Sequence, residues 1–379
     1  MKRRIFNILL FIGIFAIVLE ISARIDDKMT YNAPFWGKYN YSVLIADDQK
    51  GIRHNVRNAR FEKWKINSLG FRGREIEPIK SGKSIRIVCF GASETFGLFE
   101  DPGKEWPAQL AKMLEMNFPD VEVVNASVVG LNSQKRKDYL RKYVLWLKPD
   151  VMIIYQGFFD YAAGLDLLRE KEKKGAGDAG REKGRIIEKI SSSIRIIPKI
   201  KETLKRCIPE KISGKIKVWR IKRQISEIER GRLGDGKARD GVPEGNILRF
   251  EKDFEDLILY LKRKDIVPIL STYPTLVTDS NKDKYKLISM DHRRFFIQLS
   301  EQGLIDATRK LNEAIARVAE KESCLFVDNN GLIIKTDEYF GDYVHYTNRG
   351  AGIIAKNFYT LINHSGLLEK IVLKARKPV

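Results

Sequence analysis

Ser84-Ile85-Arg86-Ile87-Val88-Cys89-Phe90-Gly91-Ala92-Ser93-Glu94-Thr95-Phe96-Gly97 is the stretch on which the reading of this chain turns. Its first half, Ser84–Phe90, is almost continuously apolar and rich in β-branched residues, the pattern of a strand buried on both faces. Gly91 ends it and opens a short turn that carries a serine. Four further stretches have the same character: Val121–Ser127, Asp150–Gly157, Ile266–Pro274 and Cys324–Asn330. The segments between them, Trp106–Met116, Lys135–Leu147, Asn246–Arg263 and Leu304–Lys321, carry apolar residues at helical spacing. Strands alternating with helices predict a five-stranded parallel sheet covered on both faces, a three-layer α/β/α architecture. In such sheets chemistry gathers at the carboxyl ends of the strands. The positions to search are those just after Phe90, Ser127, Gly157, Pro274 and Asn330.

Composition narrows the class. With 379 residues and 43% hydrophobic residues, the chain has enough apolar surface for a large core, which excludes wholesale disorder. Its three cysteines, Cys89, Cys207 and Cys324, are odd in number and far apart, which excludes a disulfide-stapled mini-domain. The formal charge of +20 suggests a polyanion partner until it is partitioned. Leu168–Asp240 holds 23 Lys and Arg against 11 Asp and Glu, a net +12. Three more positive charges, Lys2, Arg3 and Arg4, stand at the N-terminus. No zinc spacing, stacking-rich sheet or helix-turn-helix pattern supports nucleic acid as a partner.

After Lys2-Arg3-Arg4, an unbroken apolar run extends from Ile8 to Leu19. Extended over Ile5–Ile25, it reaches the length of about 20 residues that a membrane-spanning helix needs. The same pattern fits a cleavable signal peptide with Ile21-Ser22-Ala23 as the cleavage site. Either way the remainder is expected outside the cytoplasm, with the basic cluster held inside. The chain is thus expected to divide into a membrane or signal segment over 1–25, an extension over 26–83, and an α/β domain over 84–375. The basic segment 168–240, bounded by glycine-rich GAGDAG and GRLGDG, reads as a helical insertion between the third and fourth strands.

A serine on a glycine-flanked turn at a strand's carboxyl end suits a nucleophile whose adduct needs a nearby N–H donor. Such serines also cap helices and bind phosphate, and the turn alone does not choose among these roles. A base is needed, and the chain has four histidines: His54, His292, His345 and His364. His345 stands in Asp342-Tyr343-Val344-His345, just beyond the fifth strand. The three-residue offset lets the Asp342 carboxylate reach the imidazole Nδ1–H and fix the tautomer. An N-capping aspartate beside a surface histidine is the plainer alternative. His292 reads as an exposed helical residue; His54 and His364 lie away from the strand ends.

Together these pieces resemble the SGNH hydrolases, also called GDSL-type esterases. The family's first block is similar to Gly91–Gly97. Its second is similar to Asn125-Ala126-Ser127-Val128-Val129-Gly130, and its last, an Asp and His three apart, to Asp342 and His345. Asn67-Ser68-Leu69-Gly70-Phe71-Arg72-Gly73 and Glu105-Trp106-Pro107 resemble membrane-anchored bacterial members. The resemblance covers roughly residues 84–365. It implies a flavodoxin-like sheet order, Ser93 as nucleophile, His345 as base, Asp342 as its orienting partner, and the Ser93 and Gly130 N–H groups as an oxyanion hole. It implies neither metal nor organic cofactor, and an acylated glycan or lipid as substrate, often an acetylated envelope polysaccharide.

One block departs from the family. Where it usually has Gly-x-Asn-Asp, this chain has Gly157-Phe158-Phe159-Asp160. A phenyl ring at Phe159 cannot donate the hydrogen bond of the asparagine amide, and losing one oxyanion donor costs about 10²–10³ in turnover. Gln156, Asn132 and Gln134 are candidate substitutes. The departure motivates a rival reading, in which the chain is a weak or inactive relative that binds or assembles envelope glycan. Within the insertion, Ile186–Ile225 interleaves basic and apolar residues, which suits either an anionic membrane surface or a solvated helical hairpin.

Overall fold

The computed structural model describes residues 2–37, 39–82, 84–131, 135–155, 194–207, 210–232 and 237–375. Five strands, β1 (Ile85–Gly91), β2 (Val121–Asn125), β3 (Val151–Tyr155), β4 (Val267–Ser271) and β5 (Leu325–Val327), form one parallel sheet in the order β2-β1-β3-β4-β5. This is the predicted flavodoxin-like order, with β1 at the point where the winding reverses. Every residue of β1 is buried. Cys89 pairs with Asn125 of β2 on one side and Ile153 of β3 on the other, which brings three strand ends together beside Ser93.

Helix α1 (Lys2–Tyr31) precedes the sheet, and the short α2 (Ser93–Phe96) follows β1 directly. One face is covered by α3 (Trp106–Glu115), which packs on β2 and on a later helix, Asn348–Ser365. Between β3 and β4 lie α4 (Ile196–Cys207), α5 (Glu210–Arg232) and α6 (Glu244–Lys262), and α7 (Lys286–Arg293) and α8 (Glu301–Lys321) follow β4. Helices α6 and α8 pack on each other and on β4, giving the opposite layer. Helix α8 starts at Ser300, whose hydroxyl accepts the Gly303 N–H at 3.0 Å, and α9 (Asn348–Ser365) starts at Thr347, which accepts the Gly350 N–H. Both are side-chain N-caps that satisfy otherwise orphaned donors.

One expectation about the elements needs correction. Lys135–Leu147 is not one α-helix: an α-turn over Arg136–Tyr139 widens to a π-helix at Leu140–Val144 and tightens to a 3₁₀ turn at Leu145–Leu147. The change of pitch keeps Leu140, Val144 and Leu147 all buried, and packing decides it, since all three ladders are locally accessible. The extension before β1 carries two short hairpins. Ile45–Asp47 pairs antiparallel with Arg53–Asn55, and Arg60–Phe61 with Trp64–Lys65. A small cluster of Leu44, Ile66 and Phe96 joins the second of these to the turn after Ser93.

Candidate active site

The nucleophile corner is built by close backbone approach. A Cβ on Gly91 would lie 2.1 Å from Thr95 Oγ1 and 2.6 Å from the Tyr155 carbonyl, so only glycine lets β1 turn directly into α2. Ser93 is the first residue of α2 and is only 5% exposed. Asn125, at the end of β2, donates to the Thr95 carbonyl at 2.9 Å and accepts the Ser127 N–H at 3.2 Å. One amide thereby ties the turn after β1 to the turn after β2. Glu94 is buried beside the serine, its Oε1 accepting the Ala92 N–H at 3.1 Å.

The second corner comes from the loop after β5. Asp342 Oδ1 accepts the N–H groups of Val344 and His345 at 2.9 and 2.8 Å, which closes the four-residue loop on itself. Its other oxygen, Oδ2, lies 2.8 Å from His345 Nδ1, and His345 Nε2 lies 2.8 Å from Ser93 Oγ. The structure thus places Asp342, His345 and Ser93 in one continuous chain of hydrogen bonds. Burial pushes the Asp342 carboxyl upward, but the His345 ring and the two backbone donors outweigh it, and the group settles below the usual carboxylate range. Its contribution to stability is present above the unfolded value and lost as pH falls through the lower folded one. Asp342 is not an N-cap; Thr347 fills that role for α9. The Phe99 ring stands 5.4 Å from the imidazole and covers one side of it. Behind His345, the hydroxyls of Tyr155 and Tyr346 meet at 2.6 Å, tying the loop to the end of β3.

Gly130 adopts φ +72 in the turn after β2, a left-handed conformation that favours glycine. Among the described residues, neither the Ser93 N–H nor the Gly130 N–H meets a protein acceptor. Phe159, and with it Gln156, Asn132 and Gln134, falls outside the described residues. The other histidines stay out of the chain of bonds. His54 stacks on Tyr143 at 4.8 Å, and His364 sits in the last turn of α9. His292 corrects its expected exposure: it is part-buried and stacks on Tyr343 at 4.4 Å, and burial lowers its pKa to about 3, so it stays neutral.

The profile of the GDSL-like lipase/acylhydrolase family matches residues 89–353, well over half of the chain and every residue of the hydrogen-bonded chain above. The protein belongs to this family. As a GDSL-type protein it is a serine ester hydrolase. Among solved structures, it is similar to an acetyl-xylooligosaccharide esterase from Geobacillus stearothermophilus, at 15% identity over 75% of this chain and 96% of that one, with a TM-score of 0.43. A GDSL-like lipase from Parabacteroides merdae matches at 13% identity over 75% of this chain and 97% of its own, with the same TM-score of 0.43. No curated protein matches the chain in sequence.

Sequence reasoning missed three contributors. Asn125 braces the serine turn, Phe99 shields the imidazole, and the Arg53–Asn55 strand reaches the Gly130 turn through Asn55, whose amide donates to the Ser127 carbonyl at 3.0 Å. Asn125 lay within the quoted second block, so its position at a strand end was a usable signal. The other two depend on contacts far apart in the chain.

Proposed function

We propose that the protein is a membrane-anchored, extracytoplasmic GDSL-type esterase or acyl transferase that acts on an ester-linked acyl group, of acetyl size, on an envelope glycan. The observation that carries the chemistry is the unbroken path from Asp342 through His345 to Ser93 Oγ, at 2.8 Å for each step across the imidazole. Ser93 Oγ attacks the ester carbonyl carbon while His345 Nε2 takes its proton. The negative charge that develops on the carbonyl oxygen faces the Ser93 and Gly130 N–H groups. Collapse breaks the bond to the alcohol, which leaves with the proton from Nε2. Water or an acceptor hydroxyl then repeats the cycle on the acyl-enzyme, with His345 again as base, and frees Ser93. Asp342 holds the imidazole in the tautomer that presents Nε2 to the serine.

Helix α1 supports anchoring. Its side chains from Ile5 to Val18 project outward, and it is long and apolar enough to cross a bilayer. It continues as one helix through Ile21-Ser22-Ala23, where Ala23 is 3% exposed, and packs on α4. The Glu20 carboxylate accepts the Arg195 and Ile196 N–H groups at 3.0 Å and so caps α4, and Lys199 pairs with Asp27 at 2.8 Å. Cleavage after Ala23 would remove that cap, so the arrangement favours a retained anchor over a signal peptide. Trp36, with Arg24 over its ring at 6.0 Å, is exposed next to this junction and suits the bilayer interface.

The test uses the full chain in detergent micelles with p-nitrophenyl acetate and a fluorophosphonate probe. Wild type turns over and labels; Ser93→Ala loses both, with turnover at least about 10³-fold lower. Equal behaviour of the two proteins removes the esterase reading and leaves the glycan-binding alternative that Phe159 motivates. Intact mass of the membrane-extracted protein reads the anchor: a chain beginning at residue 24 would refute retention.

A further inference from the structure

We infer that Arg53 is a donor to the oxyanion corner, supplied by the extension and standing in for the amide that the sequence lacks at Phe159. The inference rests on the esterase reading of Ser93. Arg53 and Asp47 face each other across the antiparallel pair Ile45–Asp47 and Arg53–Asn55. Asp47 grips the guanidinium at two points, taking Nε at 3.0 Å and Nη2 at 3.3 Å. This fork fixes the plane of the group and leaves Nη1 as its unengaged edge. Nη1 is directed at Gly130: a Cβ on that glycine would lie 2.6 Å from it, with Arg53 Cζ next at 3.8 Å. Among the described residues Nη1 meets no acceptor.

The strand that carries Arg53 is fixed to the core rather than draped over it. Ile52 is buried, and Asn55 donates to the carbonyls of Ser127 and Gly70 at 3.0 and 3.1 Å. His54 stacks on Tyr143, whose hydroxyl donates to Asp48 at 3.0 Å. On the esterase reading the Gly130 N–H faces the developing oxyanion, so a cation packed against that glycine stands beside the charge that appears in the transition state. Preorganised charge of this kind acts without further rearrangement. An exposed Arg–Asp pair contributes little to stability, so a purely structural role for Arg53 predicts almost no effect of its removal on rate.

The experiment uses the full chain in detergent with p-nitrophenyl acetate, a neutral substrate that offers Arg53 no anionic group. Arg53→Gln is expected to lower kcat by about 10²-fold, with KM and melting temperature little changed. Asp47→Asn, which keeps the cation but loosens its orientation, is expected to give an intermediate loss. Methylguanidine added to Arg53→Ala is expected to restore part of kcat, and to do nothing for Ser93→Ala. The inference is overturned if Arg53→Gln keeps the wild-type kcat. It is equally overturned if the loss appears only with anionic esters and only in KM, which would make Arg53 a grip on substrate charge. Should Arg53→Gln fold poorly, Asp47→Asn and the methylguanidine rescue decide the matter. A wild type inert toward the substrate removes the esterase reading and this inference together; an active wild type matched by Arg53→Gln removes this inference alone.

Discussion

The two ends of the candidate site are held in place by different means. Ser93 is positioned from beneath: a fully buried strand, a glycine that tolerates no Cβ, and an asparagine bridging two strand ends. His345 is positioned from within its own loop, by an aspartate three residues earlier that binds two backbone N–H groups and the ring. One end depends on the packing of the whole sheet, the other on four consecutive residues. The difference teaches that damage at the serine end should cost both stability and rate. Damage at the histidine end should fall mainly on rate.

The sharpest way to break that contrast is Asp342→Asn. The amide oxygen can still accept the two loop N–H groups, but it no longer favours the tautomer that presents Nε2 as base to Ser93. Turnover is expected to fall by about 10³–10⁴, with a melting temperature close to wild type. Steady-state kinetics and thermal denaturation of one preparation check both halves, and a large drop in melting temperature would erase the distinction. Next in size is Gly91→Ala. Forcing a methyl against Thr95 Oγ1 and the Tyr155 carbonyl is expected to destabilise the fold by about 1–3 kcal/mol, and to lower turnover as Ser93 shifts. Chemical denaturation alongside the esterase assay reads both.

A third effect, on stability alone, concerns Glu100, a fully buried carboxyl near the serine turn whose Oε2 accepts the Phe99 N–H at 3.0 Å. Burial raises its pKa to about 8, so it is protonated in the fold through neutral pH. A carboxyl whose folded value is raised contributes stability below its unfolded value, about 4.5, and loses it as pH climbs toward 8. Glu100→Gln is therefore expected to melt higher than wild type at pH 8 and nearly alike at pH 4.5. Parallel melting curves across that window check the sign, and a constant offset would show that titration is not the cause.

Much of the fold could be read from the sequence because its decisive elements are buried on both faces. Strands such as Ile85–Gly91 and Val151–Tyr155 are apolar along almost their whole length, with Arg86 the one charged residue between them, and the alternation with helices fixes a parallel sheet. The Lys135–Leu147 segment was read too simply, since α, π and 3₁₀ ladders all bring apolar residues to one side and only packing selects among them. The extension escaped prediction because its strands are two or three residues long. They are held by contacts such as Tyr41 against Trp64 and Phe61 against Trp64, which no local pattern announces. In the site, Ser93 and the Asp342–His345 pair were visible because each is a local motif. The approach of Arg53 to Gly130 was not, because it joins residues far apart in the chain through an ion pair that, read alone, looks like ordinary surface chemistry.

The capping of α4 by Glu20 has a consequence for reach. A catalytic unit tethered by a loose linker would sweep a large volume and meet substrates well away from the bilayer. Here α1 runs on as a single helix to Tyr31 and is bonded to the insertion that follows β3. Under the anchored reading, the site is carried at one height and one tilt, and its search is confined to a thin layer over the membrane. Ester groups on chains emerging through that layer are met at high effective concentration, and polymer that has left it is out of range.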